Sequence, residues 1–139
     1  GFNLKCVYIC MRVRFNYFAN KKIGRIAVIS SLFSVKGGKN SSVYSASKHG
    51  LVGLVKSIAD EWGEFGITCN SVAPGYVRTK MGIQENKVQF HEKEILKKTP
   101  VKRIATPEEI ARAVVFLLSE DSGYINGANW MVDGGMSAV

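Results

Sequence analysis

Apolar residues recur at three- and four-residue intervals near the start of the chain: Leu4, Val7, Tyr8, Met11, Phe15 and Phe18. That spacing predicts an amphipathic helix, with Lys5, Arg12 and Asn16 on its polar side. Asn20-Lys21-Lys22 ends it. The pattern then changes. Residues 23–29 are apolar and β-branched without clear alternation, which predicts a parallel strand covered on both faces. Residues 32–42 read as a Gly/Ser/Lys loop. Ser41 or Ser42 can cap a long helix running to about Phe65. Its apolar positions are Leu51, Leu54, Val55, Ile58, Ala59 and Trp62, and Ala46, Gly50 and Gly53 form a second stripe of small residues. Each glycine costs a helix about 1 kcal/mol relative to alanine, so close approach of another element is expected there. Gly66 suits the position just past the helix end. Ile67 to Ala73 is a second strand, stopped by Pro74-Gly75. Residues 76–98 form a charged, mostly helical excursion. Thr106-Pro107-Glu108-Glu109 opens another helix with a capping box; its expected apolar side is Ile110, Val114, Phe116, Leu117 and Leu118. Residues 119–127 turn, and Ala128 to Val132 form a last strand.

Helix and strand therefore alternate three times. Alternation of this kind predicts an α/β fold with parallel strands joined by helical crossovers. The length of 139 residues fits one domain or part of one. Hydrophobic residues make up 46%, as in a globular chain and unlike a disordered one. No apolar run reaches the roughly 18 residues of a membrane span, and no secretory leader is recognisable at the N-terminus; a cytoplasmic location is the expectation. The net charge is +8, but the basic residues are scattered. That argues against nucleic acid and suits a phosphate-bearing cofactor or an acidic carrier protein. Three cysteines, Cys6, Cys10 and Cys69, fit no disulfide framework and lack a second pair of metal ligands. They are expected to be buried small hydrophobes, with no metal site.

Chemistry concentrates between Ser31 and Lys48. Tyr44 and Lys48 are four residues apart at the start of the long helix, so their side chains share a face one turn apart. A phenol has a pKa of about 10, too high for proton transfer at neutral pH. A nearby ammonium favours the phenolate. Ser31, at the end of the apolar run Ile-Ala-Val-Ile-Ser, is placed to hold a substrate oxygen. The bland alternative is a solvated Tyr/Lys pair on a helix surface.

Four separated motifs coincide: Ser31 thirteen positions before Tyr44; Tyr44-Ser-Ala-Ser-Lys48; Asn70-Ser-Val-Ala-Pro-Gly-Tyr-Val-Arg-Thr79; and Asn126-Gly127 followed by Val132-Asp133-Gly134-Gly135. Together, over essentially the whole chain, they resemble the short-chain dehydrogenase/reductase family. Among its members the segment from Pro100 to the Asp-Gly-Gly end is similar to 3-oxoacyl-[acyl-carrier-protein] reductases and to sugar-acid and polyol dehydrogenases such as gluconate 5-dehydrogenase. The resemblance implies a Rossmann-like doubly wound parallel sheet, an NAD or NADP cofactor, and hydride transfer at a carbonyl or carbinol carbon. The substrate would be a small molecule or an acyl group on a carrier. It implies that Tyr44 is the general acid/base, that Lys48 assists it and holds the nicotinamide ribose, and that Ser31 orients the substrate oxygen. Asn3 would hold a water in a proton relay. Pro74, Gly75, Val77 and Thr79 would cradle the nicotinamide. Ser31, Phe33, Val35, Tyr76 and Met81 would touch substrate. The long helix and the one after Thr106 build dimer and tetramer contacts in the family.

The family's glycine-rich turn after the first strand, which receives the pyrophosphate, has no counterpart in these residues. Gly37-Gly38 lies on the substrate side and does not replace it. Residues 1–139 are therefore expected to be the C-terminal part of a single domain, with the fingerprint half absent and the first strand left with an open edge. On that view this fragment alone is inactive. A chain that stood alone in nature would instead be a non-catalytic remnant or an interaction protein.

Overall fold

The computed structural model describes residues 2–79 and 87–139. Helix α1 spans Phe2–Lys21, strand β1 Gly24–Ile29, helix α2 Ser42–Gly63 and strand β2 Ile67–Pro74. Helix α3 spans Lys87–Lys98, helix α4 Pro107–Leu118 and strand β3 Asn129–Val132. Short 3-10 turns occupy Leu32–Ser34 and Glu120–Ser122. The alternation expected from the sequence is present, and the strands form one parallel sheet in the order β1-β2-β3. Gly24 pairs with Ile67 and Ile29 with Val72, while Ser71 pairs with Asn129 and Pro74 with Val132.

Two cores sandwich the sheet. On one face Met11 of α1 and Leu51, Val55, Ile58 and Trp62 of α2 pack on Val28, Ile67 and Cys69. Leu51, Val55 and Ile58 are each 1% exposed, and burial of such a side chain is worth about 1.5–3 kcal/mol. Phe15 ties α1 to the end of α2, 4.7 Å from the Trp62 ring and 5.3 Å from that of Phe65. On the other face Ile110 and Leu117 of α4 pack on Val72, with Ala27, Val114 and Trp130 around them. Each strand of the β1-β2 pair thus feeds both cores, as the absence of alternation predicts.

Several expectations need correction. Helix α2 ends at Gly63, two residues early. Ser41 stands at its N-cap without bonding it; its Oγ donates to Lys39 O instead. The small-residue stripe divides: a Cβ on Gly50 would stand 2.8 Å from Leu4 Cδ1, whereas one on Gly53 would meet nothing within 4 Å. On α4, Phe116 and Leu118 are exposed, because Ile110, Val114 and Leu117 already fill the face turned to the sheet. Phe116 instead stacks on Trp130 at 5.5 Å. Only Cys69 is a buried cysteine; Cys6 is half-buried and Cys10 exposed. Burial pushes the Cys69 thiol up to about 12, which leaves it protonated at neutral pH.

Strand β1 is not covered along its whole length. Among the described strands it pairs with β2 alone, and Ile29 is 47% exposed. A groove of about 570 Å³ follows its outer edge, walled by Val7, Met11, Ile26, Val28 and Leu118 and reaching Asn3 and Lys48. No helix among the described residues is long and apolar enough to cross a membrane.

Two loop features fix how the elements join. Gly66 has φ +73°, and a Cβ there would lie 2.2 Å from the Lys22 carbonyl oxygen. The turns after α1 and α2 therefore meet backbone to backbone. At the start of α4, the Glu109 carboxylate accepts from Thr106 N at 2.9 Å and takes both Arg103 guanidinium nitrogens, at 2.6 and 2.7 Å. The Arg103 bond first, and the Thr106 amide second, hold its carboxyl down at about 2, from an ordinary 4.5.

Gly66→Ala should lower the unfolding free energy by about 1–3 kcal/mol in urea titration, since neither the positive φ nor the carbonyl contact can yield. Gly53→Ala should instead raise it by about 1 kcal/mol. Because the Glu109 carboxyl is depressed in the folded state, its stabilisation is full above pH 4.5 and disappears as pH falls through about 2. Glu109→Gln should therefore flatten the loss of stability between those two pH values, read as the shift of the urea midpoint.

Candidate active site at the carboxyl ends of the strands

Parallel α/β sheets place their reactive groups where the strands end and the loops begin. Here β1 runs into Ser30 and Ser31, β2 into Pro74-Gly75 and β3 into Asp133. The two serines have different duties. Ser30 Oγ lies 3.1 Å from Val72 O and 3.0 Å from Asn129 Oδ1. Ser71 Oγ also donates to Asn129 Oδ1, at 2.7 Å, and Asn129 Nδ2 donates to Ser34 Oγ at 3.1 Å. One asparagine on β3 thus pins both sides of the Ser31 turn. Ser31 Oγ accepts from Phe33 N at 3.2 Å, closing the 3-10 turn. That contact uses a lone pair and leaves the hydroxyl proton available to an outside oxygen.

Helix α2 brings its first turns over the end of β1. Lys48 Nζ donates to Ile29 O at 3.1 Å and stands 5.6 Å from the Tyr44 ring centroid. Tyr44 is 46% exposed, and its ring meets the Phe33 ring edge-on at 5.9 Å. Phe33 follows Ser31 by two residues and Ile29 precedes it by two, so Tyr44 and Lys48 contact residues on either side of Ser31. Asn3, from α1, has Nδ2 3.5 Å from Ser47 Oγ and lines the same groove as Lys48. Ser47 Oγ itself donates to Tyr44 O at 2.7 Å.

The Pro74–Thr79 segment leaves the sheet beside β3. Gly75 N donates to Val132 O at 3.1 Å, and a Cβ there would come within 2.8 Å of Asp133 Cα. The glycine is needed for the two strand ends to approach. Val77 bridges to Ala105 and packs in the second core; Thr79 is exposed. Asp133 accepts from Gly135 N and Ser137 N at 3.0 and 2.7 Å. Burial works to raise its carboxyl, but the bonds from Ser137 and Gly135 outweigh it and hold it below the usual range.

A cavity of about 730 Å³ adjoins this cluster. Phe33 and Tyr76, both expected at substrate, line it; Val35 is exposed and stays off its wall. Met81 lies outside the described residues. The cavity also takes in Lys36, Lys39, Lys98 and Met136, none of which the motifs pointed to. Asn129 was missed too: its serine partners are 58 to 99 positions away, and no local pattern marks it. Asn70 and Asn126, noted as parts of motifs, act as struts. Asn70 bonds Ile125 O and Ala128 N, and Asn126 bonds Cys69 N and Ala59 O, which stitches the 125–128 loop to β2 and α2.

A doubly wound parallel sheet with a Tyr/Lys pair over the end of one strand defines a Rossmann-type α/β protein with a site at its carboxyl edge. The chain belongs more particularly to the short-chain dehydrogenase/reductase family: residues 1–137 match a family model described as enoyl-(acyl carrier protein) reductase. It is 42% identical over 134 residues to the 3-oxoacyl-[acyl-carrier-protein] reductase FabG of Buchnera aphidicola subsp. Schizaphis graminum, covering 96% of this chain and 54% of that protein. It is 37% identical over 132 residues to the cyclohexanol dehydrogenase of Acinetobacter sp. (strain SE19), covering 95% and 51%. Among solved structures, a gluconate 5-dehydrogenase from Burkholderia cenocepacia in complex with NADP and tartrate superposes with a TM-score of 0.93 at 28% identity, covering 99% of this chain and 54% of that one. The chain spans about half the length of the curated relatives it matches.

Asn129→Ala should remove the acceptor shared by the Ser30 and Ser71 hydroxyls and the donor to Ser34, and cost about 1–3 kcal/mol of stability. Hydrogen exchange should show the Ser34 and Val35 amides, bonded to Ser31 O and Leu32 O, opening faster, with the α2 amides unchanged at equal global stability.

Proposed function

We propose that this chain supplies the proton-transfer and substrate side of an NAD(P)-dependent oxidoreductase. The supporting observation is that Lys48 is anchored on Ile29 O and Tyr44 meets Phe33, two residues before and two residues after Ser31, with Phe33 also lining a cavity of about 730 Å³. In the direction of reduction, the Tyr44 hydroxyl gives its proton to the carbonyl oxygen, while Ser31 donates a hydrogen bond to that same oxygen. In oxidation Tyr44 takes the proton back. The Lys48 ammonium places a positive charge beside the ring and offers donors to a ribose hydroxyl. A bound nicotinamide would supply or accept the hydride. The protein contributes position and a proton source. Asn3, on the wall it shares with Lys48, would connect that proton source to solvent through water.

The donor set fits the nicotinamide end of such a cofactor. Lys48 and Tyr44 would hold ribose and substrate oxygens, and Pro74, Gly75, Val77 and Thr79 would hold the nicotinamide ring. Among the described residues no glycine-rich strand-to-helix turn receives a pyrophosphate, so we assign that part of the site to residues outside 1–139. The open edge of β1 is where a further strand would pair. The 3-oxoacyl thioester and the sugar acid or polyol are the two substrate classes in view, from the names of FabG and of gluconate 5-dehydrogenase. The exposed apolar side of α4, Val115, Phe116 and Leu118, suits self-association into a dimer or tetramer in the cytoplasm.

Tyr44→Phe in the full-length natural protein should cut turnover by about 10²–10⁴-fold while NADPH binding, followed by fluorescence, stays within about twofold, as expected of a side chain acting in the chemical step. Retention of most activity would reject Tyr44 as the proton donor. NADPH turnover by residues 1–139 alone would reject the need for a pyrophosphate site elsewhere.

A further inference from the structure

The reactive groups gather where the strands end; a separate cavity, of about 420 Å³, lies where they begin. Its walls come from the turns after α1 and α2, the first residues of β1 and β2, and the turn before β3. Strand β1 runs six residues from Gly24 to Ile29, so about 20 Å separate this cavity from the Ser31 turn. Two cations line it, Lys22 and Arg25, and no carboxylate among the described residues does. Glu64, Glu120 and Asp121 stand in the adjoining turns, but among the described residues neither cation has an ion-pair partner.

The Arg25 guanidinium is bonded through one nitrogen. Nη1 donates to Gly24 O at 2.9 Å and, more distantly, to Gly66 O at 3.4 Å. Nε is buried and has no hydrogen-bond partner. Nη2 lies at Gly123, where a Cβ would stand 3.1 Å from it, and it makes no hydrogen bond among the described residues. The unused side is the Nε–Nη2 edge, on which a guanidinium can grip an oxyanion with two parallel bonds. Thr68 stands directly across from Arg25 in the β1-β2 register. It is 6% exposed, and its hydroxyl also lacks a partner. Two neighbouring strands thus bring unmet donors to residues that line one cavity, beside the Lys22 ammonium.

Structural duty is the competing explanation. Nη1 clips the start of β1 to the turn after α2, and the helix dipole favours a lysine at the C-terminal end of α1. Neither duty uses Nε, Nη2 or the threonine hydroxyl. Such groups lose stability when they are buried without partners, and a single group with several acceptor oxygens would meet them together. Glycine at 123 suits that purpose, since a side chain there would press on Nη2.

We propose that this cavity is a second binding site, for a phosphate or carboxylate group held by the Nε–Nη2 edge of Arg25 with Lys22 and Thr68 beside it. Because Nε is buried, the guanidinium turns to present this edge, and the long bond to Gly66 O is the one it gives up. The site stands apart from the hydride-transfer chemistry and does not rest on it.

The test follows the Arg25 Nε–H resonance in the isotope-labelled full-length natural protein, identified by its loss in Arg25→Lys. Inorganic phosphate and acetate form the two arms, at constant ionic strength. The resonance should move and saturate in the millimolar range, and the arm with the lower Kd identifies the anion. Lys22→Gln and Thr68→Val should each raise that Kd about threefold or more. Without anion, Thr68→Val should keep or raise the urea midpoint, because its hydroxyl has no partner to lose; a lower midpoint would overturn the claim that this hydroxyl is unmet. Absence of a saturable shift up to about 50 mM in both arms would overturn the site. So would a shift that grows linearly and equally with chloride, which would mean charge screening only.

Discussion

Everything in the chain hangs from β2. It is hydrogen-bonded on both sides, to β1 and to β3, and every residue from Ile67 to Ala73 is buried. A strand in that position has no water to satisfy its polar groups, so each must find a protein partner. The backbone is served by the two neighbouring strands. Two of its side chains are served at the sheet's end, Asn70 by the loop before β3 and Ser71 by Asn129, whereas the buried Thr68 hydroxyl has no hydrogen-bond partner. These demands fix β3 at the sheet edge and bring the turn after β1 against it. The site is therefore assembled by the same bonds that satisfy the central strand.

The Asn129 cluster shows the connection most directly. Its amide oxygen takes hydroxyls from Ser30 and Ser71, and its nitrogen bonds Ser34. Ser30 and Ser34 bracket Ser31. A residue on the last strand thereby sets the orientation of a turn that leaves the first. Ser31 itself is spared from the network except as an acceptor from Phe33 N, which is the state a substrate-orienting hydroxyl requires. The neighbouring Ser30 hydroxyl, by contrast, faces two acceptors.

Lys48 has two neighbours of consequence. Its ammonium is anchored on Ile29 O, which is free to accept because β1 ends there, and it stands near the Tyr44 ring. Helix periodicity accounts for the second contact and sheet topology for the first. Along β1 itself the same topology leaves the outer edge unpaired among the described residues, and the groove there brings Asn3 and Lys48 to one surface. The second cavity, on the far side of Phe33, depends on a glycine in a loop and on the end of α3.

The sequence by itself determined the elements and the grouping of Tyr44 with Lys48, because period and cap chemistry are local: the 3.6-residue repeat of α2, the unbroken apolar run of β1, and Thr106-Pro107 with Glu109 at α4 all act within a few residues. It also put Ser31 and Pro74-Gly75 at strand ends, since a strand stops where its pattern does. Only the tertiary structure decided which surfaces were covered. Phe116 and Leu118 look like core residues in the helical pattern, but Ile110, Val114 and Leu117 occupy the face turned to the sheet. Gly50 is explained by Leu4 and Gly53 by nothing in contact. Lys36 and Lys39 come from the loop after β1 and Lys98 from the end of α3 to one cavity, and Asn129 from almost the other end of the chain to the Ser31 turn. Local patterns report only the burial that a helix or strand needs; which partner supplies it, and which polar groups meet, depends on contacts between segments that no short window contains.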